Sequence, residues 1–442
     1  MRASWLFRLG LPGALLGAVV TGAAAAAPMP FEDKWQHIGV ATCAGSNCHG
    51  SPRPFEDSPV LQNEYFLWQR EDAHSNAYKL LLSADGKRIA ANLGLKDAAS
   101  APECLTCHTD YIPEKLRGRR YSMTEGVGCE ACHGGAQDWL GPHVSGNTHQ
   151  QNLDAGLYPL EEPVARARLC LHCHMGTKSK PIDHRIMGAG HPPLEFELDT
   201  FTNIQPGHFR VDKDYRERKG YVPGAKVWAI GQLLAAETFL DGLLSDRFAD
   251  RGMFPELVFF DCNACHHTMQ QPRWNAGVGG PLGPGEPRLA DAYLVMTGVV
   301  LSVLQPDAAE KWNGALAELH RASGQSVAKV REIAQRLRGI ATSALPAVAR
   351  GPLGKAQALE LLDRVAKAGL DSQAGDYTAA KQIYYASDAL FAYLRQEHGV
   401  GKETLQGPVD DLFAAVDNTR AYNPDTLRNA LKKVRAAAEK LR

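Results

Sequence analysis

Ten cysteines stand in five pairs, and each pair is followed at once by a histidine. Four have C-x-x-C-H spacing: Cys104, Cys107 and His108; Cys129, Cys132 and His133; Cys170, Cys173 and His174; Cys262, Cys265 and His266. The fifth is stretched to C-x4-C-H: Cys43, Cys48 and His49. This pattern attaches c-type haem, because the two thiols form thioethers and the adjacent histidine supplies the proximal nitrogen. Histidine makes up 16 of 442 residues. Five independent pairs would all be followed by it with a chance on the order of one in ten million, so the signature carries weight. Zinc ribbons pair two knuckles and do not need the adjacent histidine, and a disulfide framework needs none. A four-residue loop can bulge outward and still present the same three groups, so the stretched motif is read as a haem site too. The expected cofactor is five covalently attached c-type haems.

A second histidine on each iron gives a six-coordinate haem suited to electron transfer, and a missing one leaves an open iron. Position disfavours several candidates. His172 is pinned inside its own motif, and His267 directly follows a proximal ligand. His320 and His398 sit in helical, cysteine-free sequence, and His37 just before the first motif is ambiguous. Five have better claims as metal ligands: His74, His143, His184, His191 and His208. Met123, Met187 and Met269 lie near motifs without a distinctive context.

The run Gly126-Val127-Gly128-Cys129-Glu130-Ala131-Cys132-His133-Gly134-Gly135, with Gly141-Pro142-His143 after it, resembles the third haem segment of the tetrahaem cytochrome c-554 family. The order of motifs and intervening histidines over about residues 35 to 210 is similar as well. The resemblance implies that His143 faces His49 and that His74 faces His174. It implies that His191, or else His208 or His184, serves the His133 haem. The second haem of that family lacks a protein sixth ligand, which makes the His108 haem the expected open site. A fifth motif, a stretched first motif and a long C-terminal extension depart from the family, so its partner chemistry does not carry over.

These ligands need elements to hold them. Residues 1–27 read as a secretory signal: Arg2 and Arg8, an apolar stretch from Leu9 to Val20, then Ala23 to Ala27. Residues 28–270 hold every motif and are turn-rich, apart from helical spacing between Val222 and Ser245. Residues 271–287 read as a Gly/Pro-rich linker. Residues 288–442 lack cysteine and carry helical periodicity, with Asn423-Pro424-Asp425 as a helix start. The expected fold is mainly α: a turn-rich multihaem cytochrome c domain followed by a C-terminal bundle of four or five helices. No segment beyond the signal is read as a membrane span. Formal net charge is −1, with no basic stripe to suggest nucleic-acid binding. A periplasmic or otherwise exported location is expected, with redox proteins as partners. Membrane contact is expected only through an uncleaved signal or a membrane-bound partner. Electron transfer is the expected role, and the alternative is an oxidoreductase acting on a small nitrogen or sulfur species at an open haem.

Overall fold

The computed structural model describes residues 27–56, 58, 60–246, 255–266, 286–371 and 377–442. Most of the signal, most of the linker, His267 and Met269 lie outside the described residues. The fold is mainly α. Among the described residues no strand forms, and only isolated bridges join His37 to Arg117 and Phe260 to Leu289.

The first half is a series of short helices: α1 (Glu64–Glu71), α2 (Ala84–Leu93), α3 (Pro102–His108), α4 (Cys129–His133), α5 (Pro163–His174), α6 (His184–Gly188) and α7 (Leu198–Ile204). Proline at the first position of α3 and α5 starts each helix where its missing N–H costs nothing. Ser83 starts α2 by accepting from the Gly86 amide at 3.1 Å, and Gly94 ends it with φ of 73°.

Helix α8 (Gly224–Leu244) starts just past Pro223, and every residue from Ala225 to Glu237 is buried. On length and composition it could cross a membrane, which the sequence reading did not anticipate, yet 78% of its apolar window is buried inside the protein. A helix apolar all round must be covered on all sides. Here α5 and α7 cover it from the cysteine-bearing half, and helices of the C-terminal region cover the rest. Among its described residues that region contains seven helices rather than four or five: α9 (Ala292–Leu304), α10 (Pro306–Ser323), α11 (Val327–Arg350), α12 (Lys355–Asp371), α13 (Tyr377–His398), α14 (Lys402–Val416) and α15 (Pro424–Leu441). The periodicity over Lys311 to Val348 looks continuous but breaks at Gly324-Gln325-Ser326, where Ser326 caps α11. Asn423 caps α15 by accepting from the Asp425 amide at 2.8 Å.

One apolar core runs from Ala167 and Leu171 on α5 through Trp228 on α8 to Trp312 on α10 and Ala438 on α15. It anchors α5, whose last turn carries Cys170, Cys173 and His174.

Candidate haem-binding sites

Residues three and four apart share one face of a helix. A C-x-x-C-H run on one helical turn therefore presents both thiols and the imidazole to one side. Four motifs use this device, at the end of α3, along α4, at the end of α5, and on the short helix Cys262–Cys265. The stretched motif reaches the same end differently. Its helix stops at Cys43, the chain turns, and the His49 amide donates to the Cys43 carbonyl at 3.1 Å. In the ordinary motif the His266 amide donates to the Cys262 carbonyl at 2.7 Å. The two extra residues bulge out, and the backbone closes from proximal histidine to first cysteine in both forms.

Numbered in chain order, each site has a second histidine opposite its proximal one. At site 1 His49 faces His143, with ring centres 6.1 Å apart and planes at 15°. At site 2 His108 faces His191 at 6.4 Å and 84°. At site 3 His133 faces His208 at 6.5 Å and 70°. At site 4 His174 faces His74 at 6.0 Å and 90°. At site 5 His266 faces His184 at 6.2 Å and 25°.

These spacings test whether the residues fit haem iron. A metal–imidazole bond of about 2.0–2.1 Å on each side, with each ring centre about 1.1 Å behind its nitrogen, separates two ring centres by about 6.2–6.4 Å. All five pairs stand within about 0.2 Å of that range. The donor set, two thiols and two imidazoles per site, is the one c-type haem needs.

Second partners orient several rings. His49 Nδ1 lies 3.0 Å from Glu64 Oε2, and His74 Nδ1 lies 2.8 Å from Asp72 Oδ1. Asp72 in turn accepts from Gln205 Nε2 at 2.9 Å. His108 Nδ1 meets the Ala77 carbonyl at 2.9 Å, and His191 Nδ1 meets the Pro192 carbonyl at 2.8 Å. Each contact occupies Nδ1 and leaves Nε2 for the iron. His174 stacks on Phe196 with ring centres 4.8 Å apart. Burial pushes His133 and His174 down to about 4, which keeps them in the neutral form that binds metal. The Glu64 hydrogen bond raises His49, and at His74 Asp72 outweighs an opposing effect of burial.

Glycines let the chain pass close to these ligands. Gly126 has φ of +76°, and a Cβ there would lie 2.6 Å from the His74 carbonyl oxygen. Gly134, directly after His133, has φ of +82°, and its Cβ would lie 2.8 Å from the Gly156 carbonyl oxygen.

Contacts between motifs reveal how the sites adjoin. The Cys43 thiol of site 1 lies beside Cys129 of site 3, and the Cys107 thiol of site 2 lies beside Cys173 of site 4. Burial raises Cys132 of site 3, and the nearness of Cys170 and Cys173 of site 4 adds to this. Arg185, next to His184 of site 5, pairs at 2.6 Å with Glu103, next to Cys104 of site 2. The sites therefore run in the order 1, 3, 4, 2, 5.

Residues 42–134 match the family described as cytochrome c554 and c-prime. This stretch resembles cytochrome c-554. Over 141 residues the chain is 28% identical to cytochrome c-554 of Nitrosomonas europaea, covering 30% of this chain and 51% of that protein. The chain thus spans about half the length of that curated relative. No solved structure matches. The likeness to cytochrome c-554 implies covalently bound haem c in the matched stretch, which contains the first three motifs.

The structure sets one histidine opposite His108 and another opposite His133. His191 lies over His108, the site the resemblance left without a second histidine, and His208, one of the alternatives given beside His191 and His184, lies over His133. The segment 184–191 is tied beside site 2 by the Arg185–Glu103 pair and by Asn92 Nδ2 donating to the Ala189 carbonyl at 2.9 Å. The chain then continues past Gln205, held by Asp72, before His208 reaches site 3. Other histidines have different partners. His37 is fully buried with Nδ1 2.7 Å from Asp110 Oδ2, His320 pairs with Asp291 at 2.9 Å, and His172 packs on Phe31. His398 contacts the Tyr393 hydroxyl at 3.1 Å. The orienting groups Glu64 and Asp72 escaped sequence reasoning. Asp72 had a local signal, two residues before His74, whereas Glu64 lies fifteen residues from His49.

Proposed function

We propose that this protein is an exported pentahaem c-type cytochrome that carries electrons between redox protein partners. The observation that supports this best is the set of five facing histidine pairs, one for each attachment motif. Bound haem supplies a one-electron iron couple. Two cysteines of each motif would hold the haem covalently, the facing histidine pair would ligate its iron, and neighbouring sites would lie close enough to pass electrons. Iron held by two histidines would favour carrying electrons over chemistry on a small nitrogen or sulfur species. Export rests on the N-terminal pattern of basic residues, apolar stretch and small residues.

The test is the oxidised full-length protein. A pyridine haemochrome assay is expected to give five haems per chain, and electron paramagnetic resonance to show only low-spin ferric iron. A high-spin ferric signal altered by cyanide or nitric oxide would mark an open site and turn the reading towards an oxidoreductase. Four haems would remove the stretched motif from the set.

A further inference from the structure

We infer that the five sites fall into two ligand-field classes, sorted by position: the two end sites of the row hold near-parallel imidazole pairs, and the three inner sites hold near-perpendicular pairs. This rests on the proposed reading that each site carries a haem with two axial histidines. The planes meet at 15° at site 1 and 25° at site 5. They meet at 70°, 90° and 84° at sites 3, 4 and 2. The order 1, 3, 4, 2, 5 comes from different contacts, namely the nearness of Cys43 to Cys129, of Cys132 to Cys170 and Cys173, and of Cys107 to Cys173, and the Arg185–Glu103 pair. Two independent observations therefore sort the sites in the same way.

The physical consequence follows from orbital symmetry. The filled π orbital of an imidazole stands normal to its ring and overlaps only one of the two iron d orbitals that point out of the macrocycle plane. Parallel rings act on the same d orbital and split the pair. Perpendicular rings act on one orbital each and leave the pair nearly degenerate. A split pair gives an ordinary rhombic low-spin signal, and a degenerate pair gives a strongly anisotropic signal with a large highest g value. Axial-ligand arrangement is one lever by which a protein tunes haem. The residues that set ring rotation are on hand: Glu64 on His49 at site 1, Asp72 on His74 at site 4, and the Ala77 and Pro192 carbonyls on the two rings of site 2.

The experiment is electron paramagnetic resonance of the oxidised, fully loaded, full-length protein, with haem content measured on the same sample. Low-spin intensity is expected to divide into two rhombic haems and three of the large-g type. A second measurement uses Glu64→Ala, which frees the His49 ring. The difference spectrum is expected to involve rhombic intensity equal to one haem and none of the large-g intensity. Five low-spin haems in any other ratio, or a Glu64→Ala change in the large-g signals, would overturn the partition while leaving the five-haem reading intact. Fewer than five haems, or a high-spin signal in the native protein, would overturn the underlying reading and the partition with it.

Discussion

Removing the imidazole of His191 should open one iron out of five and leave the fold in place. His191 stands opposite His108 with ring centres 6.4 Å apart, the spacing of two imidazoles sharing one metal. Its other ring nitrogen bonds only to the carbonyl of Pro192, the next residue, so His191→Ala orphans no distant group. The stability change should stay within the roughly 0.5 kcal/mol typical of substitutions away from core packing and buried polar networks. The spectroscopic change should be large: high-spin ferric iron equal to one-fifth of total haem, with added imidazole returning the protein to the low-spin state. Optical and paramagnetic resonance spectra of His191→Ala and His208→Ala, side by side, would check this. Each variant should open one site. The reasoning fails if native protein already holds one-fifth high-spin iron, or if His191→Ala stays fully low-spin.

Three further outcomes follow. Replacing Cys43 and Cys48 together with serine should lower the haemochrome count from five to four, whereas an unchanged count would show that the stretched motif carries no haem. Gly126→Ala should cost about 1–3 kcal/mol for a backbone at φ +76° and ψ −142°, which only glycine readily adopts, and more because its Cβ would lie 2.6 Å from the His74 carbonyl oxygen; thermal unfolding measures the cost, and a high-spin signal from site 4 would report displacement of His74. Burial would raise Asp291, but Arg288 and His320 outweigh it and hold the carboxyl at about 2. Because the folded pKa is depressed below the 3.8 of a free aspartate, its contribution of roughly 2 kcal/mol is fully present above about pH 4 and is lost as pH falls through 2. Asp291→Asn should therefore lower thermal stability at neutral pH and match the native protein only in strong acid; equal melting temperatures at pH 7 would refute this.

The attachment half of each site was legible in the sequence because its chemistry is local. Two thiols and an imidazole must lie within one turn of chain, so they must lie within one short motif. Local signals also delivered helix α8 and the Asn423 cap of α15. The opposing half of each site was legible as a set but not as a pairing. His184, His191 and His208 lie within 25 residues, and spacing alone gives no reason to send them to sites 5, 2 and 3. The deciding contacts are tertiary: Arg185 with Glu103, Asn92 with Ala189, and Gln205 with Asp72. His37 was ambiguous for the same reason, since its partner Asp110 lies 73 residues away. Helix number in the C-terminal region was underestimated because apolar periodicity continues across Gly324-Gln325-Ser326 while the backbone does not, and because Lys355–Asp371 and Lys402–Val416 were not marked as helices.

The interleaving of ligands along the chain also sets a timetable. A polypeptide made from its N-terminus meets the His174 motif with His74 already formed, and the His266 motif with His184 already formed. Sites 4 and 5 can close both axial positions as soon as their own motif arrives. Site 1 must wait 94 residues for His143, site 2 waits 83 for His191, and site 3 waits 75 for His208. A chain truncated between residues 133 and 208 would lack the second histidine of at least one of the first three sites, whereas the last two motifs would have theirs upstream.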